Sequence, residues 1–221
     1  MTTLGLVTIG QAPRDDMRDE LAAYVGVNLN IVEAGALDGM GDLEIAHLAP
    51  AEPSDVLVTR LRDGRQVRVG ERAIVPALQE AVSRTEASGA DFTLIVCTGH
   101  FPQMAHAKPL LFAGSVLTTA VSALAQGIRV SILCPDPNQL DVVREKWQSA
   151  GVHPLSLHAA SPYENSVQAL EEASLNVRGA DLVVMDCMGY SEAMALSVRH
   201  LTGTPVVTAR RVVARMAGLL A

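Results

Sequence analysis

Aromatic side chains are scarce in this chain: Phe, Tyr and Trp together make up 3% of 221 residues. A core must then be assembled from Ala, Val and Leu, as in helices packed on a parallel sheet. The same scarcity argues against stacking platforms for single-stranded nucleic acid. Clustered positive charge is missing too. The formal net charge is −7, the pI is about 5.3, and the basic footprint that a phosphate backbone requires is not there. No nucleic-acid partner is expected. No segment approaches the apolar length that spans a membrane, and Met1–Gly10 has no basic region ahead of its apolar stretch, so neither a membrane nor a secretory signal is expected. The three cysteines, Cys97, Cys134 and Cys187, are odd in number and lack Cys-x-x-Cys spacing. Neither a disulfide framework nor a zinc site follows from them, and a reducing cytoplasm is the expected setting. Gly39-Met40-Gly41 does not stand between a strand and a helix in the dinucleotide pattern, there is no P-loop, and no Gly-x-Ser-x-Gly elbow supports a serine triad. No cofactor is implied.

What the chain does have is apolar content, 49% hydrophobic with mean hydropathy +0.25, arranged in alternation. Strand-like runs at Leu4–Ile9, Leu29–Glu33, Phe92–Cys97, Arg129–Cys134, Val152–Leu157, Leu182–Cys187 and Pro205–Val207 alternate with helix-like runs. The helical runs begin near Pro13, Glu71, Ala113, Asn138, Asn165, Ser191 and Thr208; Pro13 suits a first helical position and Ser191 an N-cap. Val56–Arg60 and Gln66–Val69, joined through Asp63-Gly64, predict a hairpin at a sheet edge. The fold class is therefore α/β, with parallel sheets and right-handed crossovers. Ligands of such sheets bind beyond the carboxyl ends of the strands, where Gly10, Cys97, Cys134 and Cys187 all fall.

Residues 89–100 (Gly-Ala-Asp-Phe-Thr-Leu-Ile-Val-Cys-Thr-Gly-His) return at 179–190 as Gly-Ala-Asp-Leu-Val-Val-Met-Asp-Cys-Met-Gly-Tyr. Gly-Ala-Asp before a strand is a common helix-to-strand connection; the shared Cys-x-Gly lifts the match above that background. The repeat predicts two halves, 1–112 with a small hairpin near 55–70 and 113–205, with 206–221 as a terminal helix packing back on the first half. Packed face to face, the halves bring Cys97 and Cys187 to either side of one cleft. A lone cysteine at a strand end is more often a small core hydrophobe; two at equivalent ends, each followed at the second position by glycine, point to catalysis. Cys134, without a glycine partner, reads as core. A helix starting near Ser191 would lower the thiol pKa from its usual value of about 8.5 and favour an anionic ligand. His100 and Tyr190 hold equivalent positions and are expected at the mouth of the site. Asp186 is expected to point away, since successive strand residues face opposite sides. Arg14 has two readings: an exposed partner of Asp15 or Asp16, or a carboxylate anchor beside the Gly10-Gln11 turn.

Leu6–Arg14 (Leu-Val-Thr-Ile-Gly-Gln-Ala-Pro-Arg), Met185–Tyr190 and Thr204–Arg215 together resemble the AroM family, over essentially the whole chain. That family is in turn similar to the aspartate/glutamate racemase superfamily. The resemblance implies two pseudo-symmetric parallel-sheet halves with the active site between them, and cofactor-independent chemistry by paired cysteines. Those cysteines map onto Cys97 and Cys187, and the carboxylate-binding turns onto Thr98, Gly99, Met188 and Gly189. The amino-acid racemases tend to read Cys-Asn-Thr and Gly-Cys-Thr-His where this chain has Cys-Thr-Gly and Asp-Cys-Met-Gly. Met188 removes a hydroxyl there, so an acidic amino acid is not the expected substrate. The expectation is a racemase or epimerase of a small carbon acid, anionic by preference, with Gly10, Gln11, Arg14, Thr98, Gly99, His100, Met188, Gly189 and Tyr190 around the two thiols. Backbone N–H groups of the two turns would stabilise the enolate-like charge. A cysteine-dependent isomerase or decarboxylase, or a ligand-binding protein on the same scaffold, is the alternative. A homodimer is compatible with such a fold.

Overall fold

Each Gly-Ala-Asp of the repeat is a joint between a helix and a strand. Gly89 and Gly179 take φ values of 89° and 87°, a left-handed conformation that any side chain would strain. Ala90 and Ala180 are buried behind them. Each aspartate then ties down the start of a neighbouring strand: Thr3 N–H donates to Asp91 Oδ2 and Arg129 N–H to Asp181 Oδ2, both at 2.8 Å.

The computed structural model describes residues 1–26, 29–164 and 167–221. The helix start expected at Asn165 lies outside the described residues. The first sheet runs in the order β2 (Asn30–Gly35), β1 (Thr3–Thr8), β5 (Phe92–Ile95), β6 (Leu110–Phe112). The second repeats that order as β8 (Ser156–Ala159), β7 (Val130–Cys134), β9 (Leu182–Met185), β10 (Val206–Thr208). All of these pairings are parallel. The predicted hairpin forms from β3 (Val56–Arg60) and β4 (Gln66–Gly70), antiparallel to each other.

Helices α1 (Asp15–Val25), α4 (Ala113–Leu124), α5 (Leu140–Ser149) and α8 (Ala209–Ala217) share one central apolar core with the facing sides of both sheets. Leu4 and Leu6 of β1 and Leu182 and Val184 of β9 point into it, with Trp147 fully buried among them. Helix α8 lies against α1 and α4. The outer face of the first sheet, with Val7 and Ile95, is covered by α3 (Glu71–Ala87) and the hairpin; that of the second, with Val183 and Met185, by α6 (Val167–Asn176) and α7 (Glu192–Thr202). Strands buried on both faces explain the unbroken apolar runs in the sequence.

Several boundaries differ from expectation. The ladders of β5 and β9 stop two residues before each cysteine, which places both thiols on turns. Val152 is not strand: it is buried and its N–H folds back on Trp147 O at 2.9 Å, and β8 begins only at Ser156. Pro13 precedes α1, which starts at Asp15. The three-residue β6 and the short α2 (Asp42–His47) carry too little pattern to be foreseen. No described helix is long and apolar enough to cross a membrane.

Candidate active site

Cys97 and Cys187 line one cleft between the halves, at the carboxyl edges of the two sheets. The two turns are built alike. Gly99 N–H donates to Cys97 Sγ at 3.4 Å, and Gly189 N–H donates to Cys187 Sγ at 3.3 Å. Glycine is required at both places because other groups press on the turns. A Cβ on Gly99 would lie 2.9 Å from Leu57 of the hairpin and 3.1 Å from Glu71 Oε2; on Gly189 it would lie within 2.7 Å of Pro162 and Tyr163. Thr98 joins the turns across the cleft by donating its hydroxyl to Asp186 O at 3.2 Å.

The surroundings of the two sulfurs differ. Beside Cys97 stand Glu71, whose Oε2 accepts the His100 N–H at 2.9 Å, and Lys146, whose Nζ donates to Asp186 Oδ2 at 2.5 Å and to Thr98 O at 3.2 Å. Beside Cys187 stand Arg14 and Tyr163. Arg14 is buried; its Nε and Nη2 grip Asp16 at 2.8 and 2.9 Å, Nη1 donates to Thr8 Oγ1 at 2.9 Å, and Nη2 to the Tyr163 hydroxyl at 3.3 Å. It is thus neither an exposed surface partner nor a free anchor.

Burial pushes the Cys97 thiol up to about 12; Cys187 and Glu71 add to that rise, while the Gly99 N–H and Lys146 oppose it. Burial raises the Cys187 thiol too, with Asp186 adding and the Gly189 N–H, Arg14 and Tyr163 opposing. Both directions correct the expected lowering. The amide N–H of Glu192, the first residue of α7, is taken by the Glu20 carboxylate at 3.2 Å, and Ser191 Oγ accepts from Met194 N–H, so this helix end does not serve the thiols. The Gly99 and Gly189 N–H groups are likewise aimed at sulfur, where they favour thiolate, rather than at a developing enolate.

Of the other residues singled out in the sequence, Arg14, Thr98, Gly99, His100 and Met188 line the cleft. Gly10 lies against the hairpin, where a Cβ would meet Arg60 O at 2.4 Å. Gln11 ties the same region together, donating from Nε2 to Leu37 O and accepting Arg62 N–H. Gly189 is covered by Tyr163. Tyr190 is fully buried under the outer core of the second half, its hydroxyl donating to Ala160 O at 2.6 Å, so it does not share the mouth with His100. Asp186, expected to face away, belongs to the cleft wall. Cys134 is core: its thiol donates to Asp136 O at 3.6 Å and burial pushes it up to about 12. Sequence reasoning missed Glu71, Lys146 and Tyr163, which come from α3, α5 and the segment after β8 and form no local motif. Among the described residues no group of three or more His, Cys, Asp or Glu is placed to hold a metal ion.

A family model described as AroM protein matches residues 4–220. A search of curated protein sequences returns no match. Among solved structures, the chain is similar to an allantoin racemase from Klebsiella pneumoniae, at 16% identity and TM-score 0.63, over 100% of this chain and 87% of the other. It is similar to an arylmalonate decarboxylase at 13% identity and TM-score 0.61, over 99% and 92%. A Picrophilus torridus aspartate racemase matches at 11% identity and TM-score 0.60, over 97% and 91%. The fold is therefore the racemase-like α/β fold with two parallel sheets.

Proposed function

From a chain that belongs to the AroM family and folds as these racemases do, we infer a cofactor-independent racemase or epimerase of a small carbon acid. The observation that carries this reading is the pair of cysteines in matching turns on one cleft, each sulfur facing a glycine N–H. One sulfur, as thiolate, takes the proton from a carbon beside a carbonyl or carboxylate; the other, as thiol, returns a proton to the opposite face. The two then exchange roles for the other enantiomer. An N–H donated to sulfur favours the thiolate and so opposes the rise that burial imposes on each thiol. The Lys146 ammonium, close to the Cys97 turn, is the cation placed to steady charge on the carbonyl oxygen. All three cysteines are free thiols, which suits a reducing cytoplasm.

The unequal flanks of the sulfurs favour one second reading. If only Cys187 gains enough help from Arg14 and Tyr163 to act, the chemistry is single-thiol: protonation of an enolate after loss of CO₂, or thiolate addition in a cis–trans isomerisation. Incubation with a metabolite pool in D₂O, followed by mass and NMR detection of newly deuterated carbon acids, tests both. Racemisation predicts that Cys97→Ser and Cys187→Ser each abolish interconversion, with wash-out of the α-hydrogen surviving in at most one direction per variant. Full activity in both single variants would eliminate the two-base mechanism, and CO₂ release with Cys97 dispensable would select the single-thiol one.

A further inference from the structure

Three buried side-chain oxygens lack a hydrogen-bond partner among the described residues: Thr59 Oγ1, Gln139 Oε1 and Asp186 Oδ1. All three residues line the cleft that holds the cysteines. An unsatisfied buried polar atom costs about 1–3 kcal/mol, and folded proteins keep few of them. Their chemistry is alike. Gln139 spends its Nε2 on Val56 O at 2.8 Å, which turns its oxygen, an acceptor, the other way. Asp186 receives Lys146 at 2.5 Å and Trp147 Nε1 at 2.7 Å on Oδ2 alone, which leaves Oδ1 as a second acceptor. The Thr59 hydroxyl can donate or accept.

The guanidinium of the cleft is committed and its ammonium is held in place. Arg14 is gripped through two nitrogens by Asp16 and also serves Thr8 and Tyr163; Lys146 is held by Asp186 and Thr98 O. Glu71 has no ion-pair partner among the described residues, and burial raises its pKa. A carboxylate entering here would find no uncommitted guanidinium and would face Glu71. A ligand with N–H groups would satisfy the idle acceptors.

We propose that the cleft takes an uncharged carbonyl compound rich in N–H donors (an amide, imide or ureide), read by Asp186 Oδ1, Gln139 Oε1 and the Thr59 hydroxyl. This rests on the racemase-type reading of the site, in which the carbonyl acidifies the carbon that the thiols address. It replaces the anionic ligand to which the sequence points.

N-acetylalaninamide, its fully N-methylated derivative and N-acetylalanine share one skeleton while presenting, in turn, neutral donors, no donors and a carboxylate. Calorimetric titration of the whole protein with each should give an affinity for the amide at least tenfold above both others. A carboxylate that binds as well as the amide, an N-methylated form that binds as well, or no binding by any of the three overturns the proposal. Thr59→Val separates a ligand contact from a structural one: it should weaken the amide by about fivefold, the worth of one neutral hydrogen bond, while leaving thermal stability unchanged or higher. A variant that loses stability and keeps amide affinity counts against it. Deuterium exchange at the α-carbon, recorded by NMR on the same samples, reads the catalysis separately. Amide selectivity without exchange supports the ligand class while removing the proton-transfer reading.

Discussion

Leu110 pairs with Thr93 in the first sheet as Val206 pairs with Val183 in the second, so Gly114 and Arg210 occupy matching places in the first turns of α4 and α8. At Gly114 a Cβ would lie 2.8 Å from Thr98 O and 3.0 Å from Gly99 O, so α4 seats its backbone directly on the Cys97 turn. At Arg210 a buried guanidinium fills the equivalent space. Its Nε donates to Met188 O at 2.6 Å and Nη2 to Gly189 O at 2.9 Å, while Nη1 reaches Asp16 O and the Glu20 carboxylate. The Cys97 turn gets its cation from the opposite half instead, as Lys146. The two halves thus share a backbone device, glycine N–H to cysteine sulfur, and support it by different means. Symmetry survives where the strands dictate it and is lost where side chains from other elements arrive.

The largest test of that difference is removal of the prop. Arg210→Ala leaves three carbonyls and Glu20 without their buried partner, and such a loss destabilises by about 3–5 kcal/mol. Urea denaturation should show it, and a cost below that of an ordinary surface substitution would mean the guanidinium is not what holds the Cys187 turn. Gly114→Ala probes the other half by overpacking instead of deletion. Pressing a methyl onto Thr98 O should cost about 1–3 kcal/mol in the same experiment.

The legibility of the sequence follows the same division. Parallel strands buried on both faces announce themselves as apolar runs, and the hairpin was readable from Asp63-Gly64, as its register around that turn bears out. The Gly-Ala-Asp-…-Cys-x-Gly repeat marked the equivalent strands because its glycines, aspartate and cysteine each have a task in shaping or tying the backbone, with the alanine buried between them. The flanks were opaque. Glu71 opens α3, Lys146 sits on α5 and Tyr163 follows β8, so only tertiary packing brings them to the thiols. Tyr190 misled for the converse reason: repeat equivalence with His100 fixes the backbone place, but the side chain follows the apolar core of its own half. Arg210 lay inside a recognised motif, yet nothing in the motif says that its partners are carbonyls of the second turn.

A smaller effect should separate the thiols themselves. Cys187 faces Arg14 and Tyr163, which favour its anion, and Asp186, which does not; Cys97 faces Glu71 and Cys187, which oppose its anion, and Lys146, which favours it. Alkylation by iodoacetamide, followed across pH by peptide mass mapping, should therefore modify Cys187 at lower pH than Cys97. Tyr163→Phe removes a hydroxyl that stabilises the Cys187 thiolate, so the Cys187 profile should move up by about one pH unit, the size of a weak charge-assisted hydrogen bond. The Cys97 profile should not follow. Equal shifts in both would mean that Tyr163 only closes the cleft.

The smallest effect comes from the opposite flank and has the opposite sign. Glu71→Gln keeps an oxygen to accept the His100 N–H, which Glu71 Oε2 now takes at 2.9 Å, but removes a negative charge that raises the Cys97 pKa. With the charge gone the Cys97 thiolate is less opposed, so its alkylation profile should move down. The shift should be a fraction of a pH unit, because burial, the largest cause of the rise, is untouched by the change. It should appear only above the pH at which Glu71 itself ionises, since below that point the native residue is already neutral. Taken with Tyr163→Phe, this variant would narrow the gap between the sulfurs from the other side. If neither substitution changes the order in which they react, the inequality lies in the depth of burial of each thiol and not in its charged neighbours.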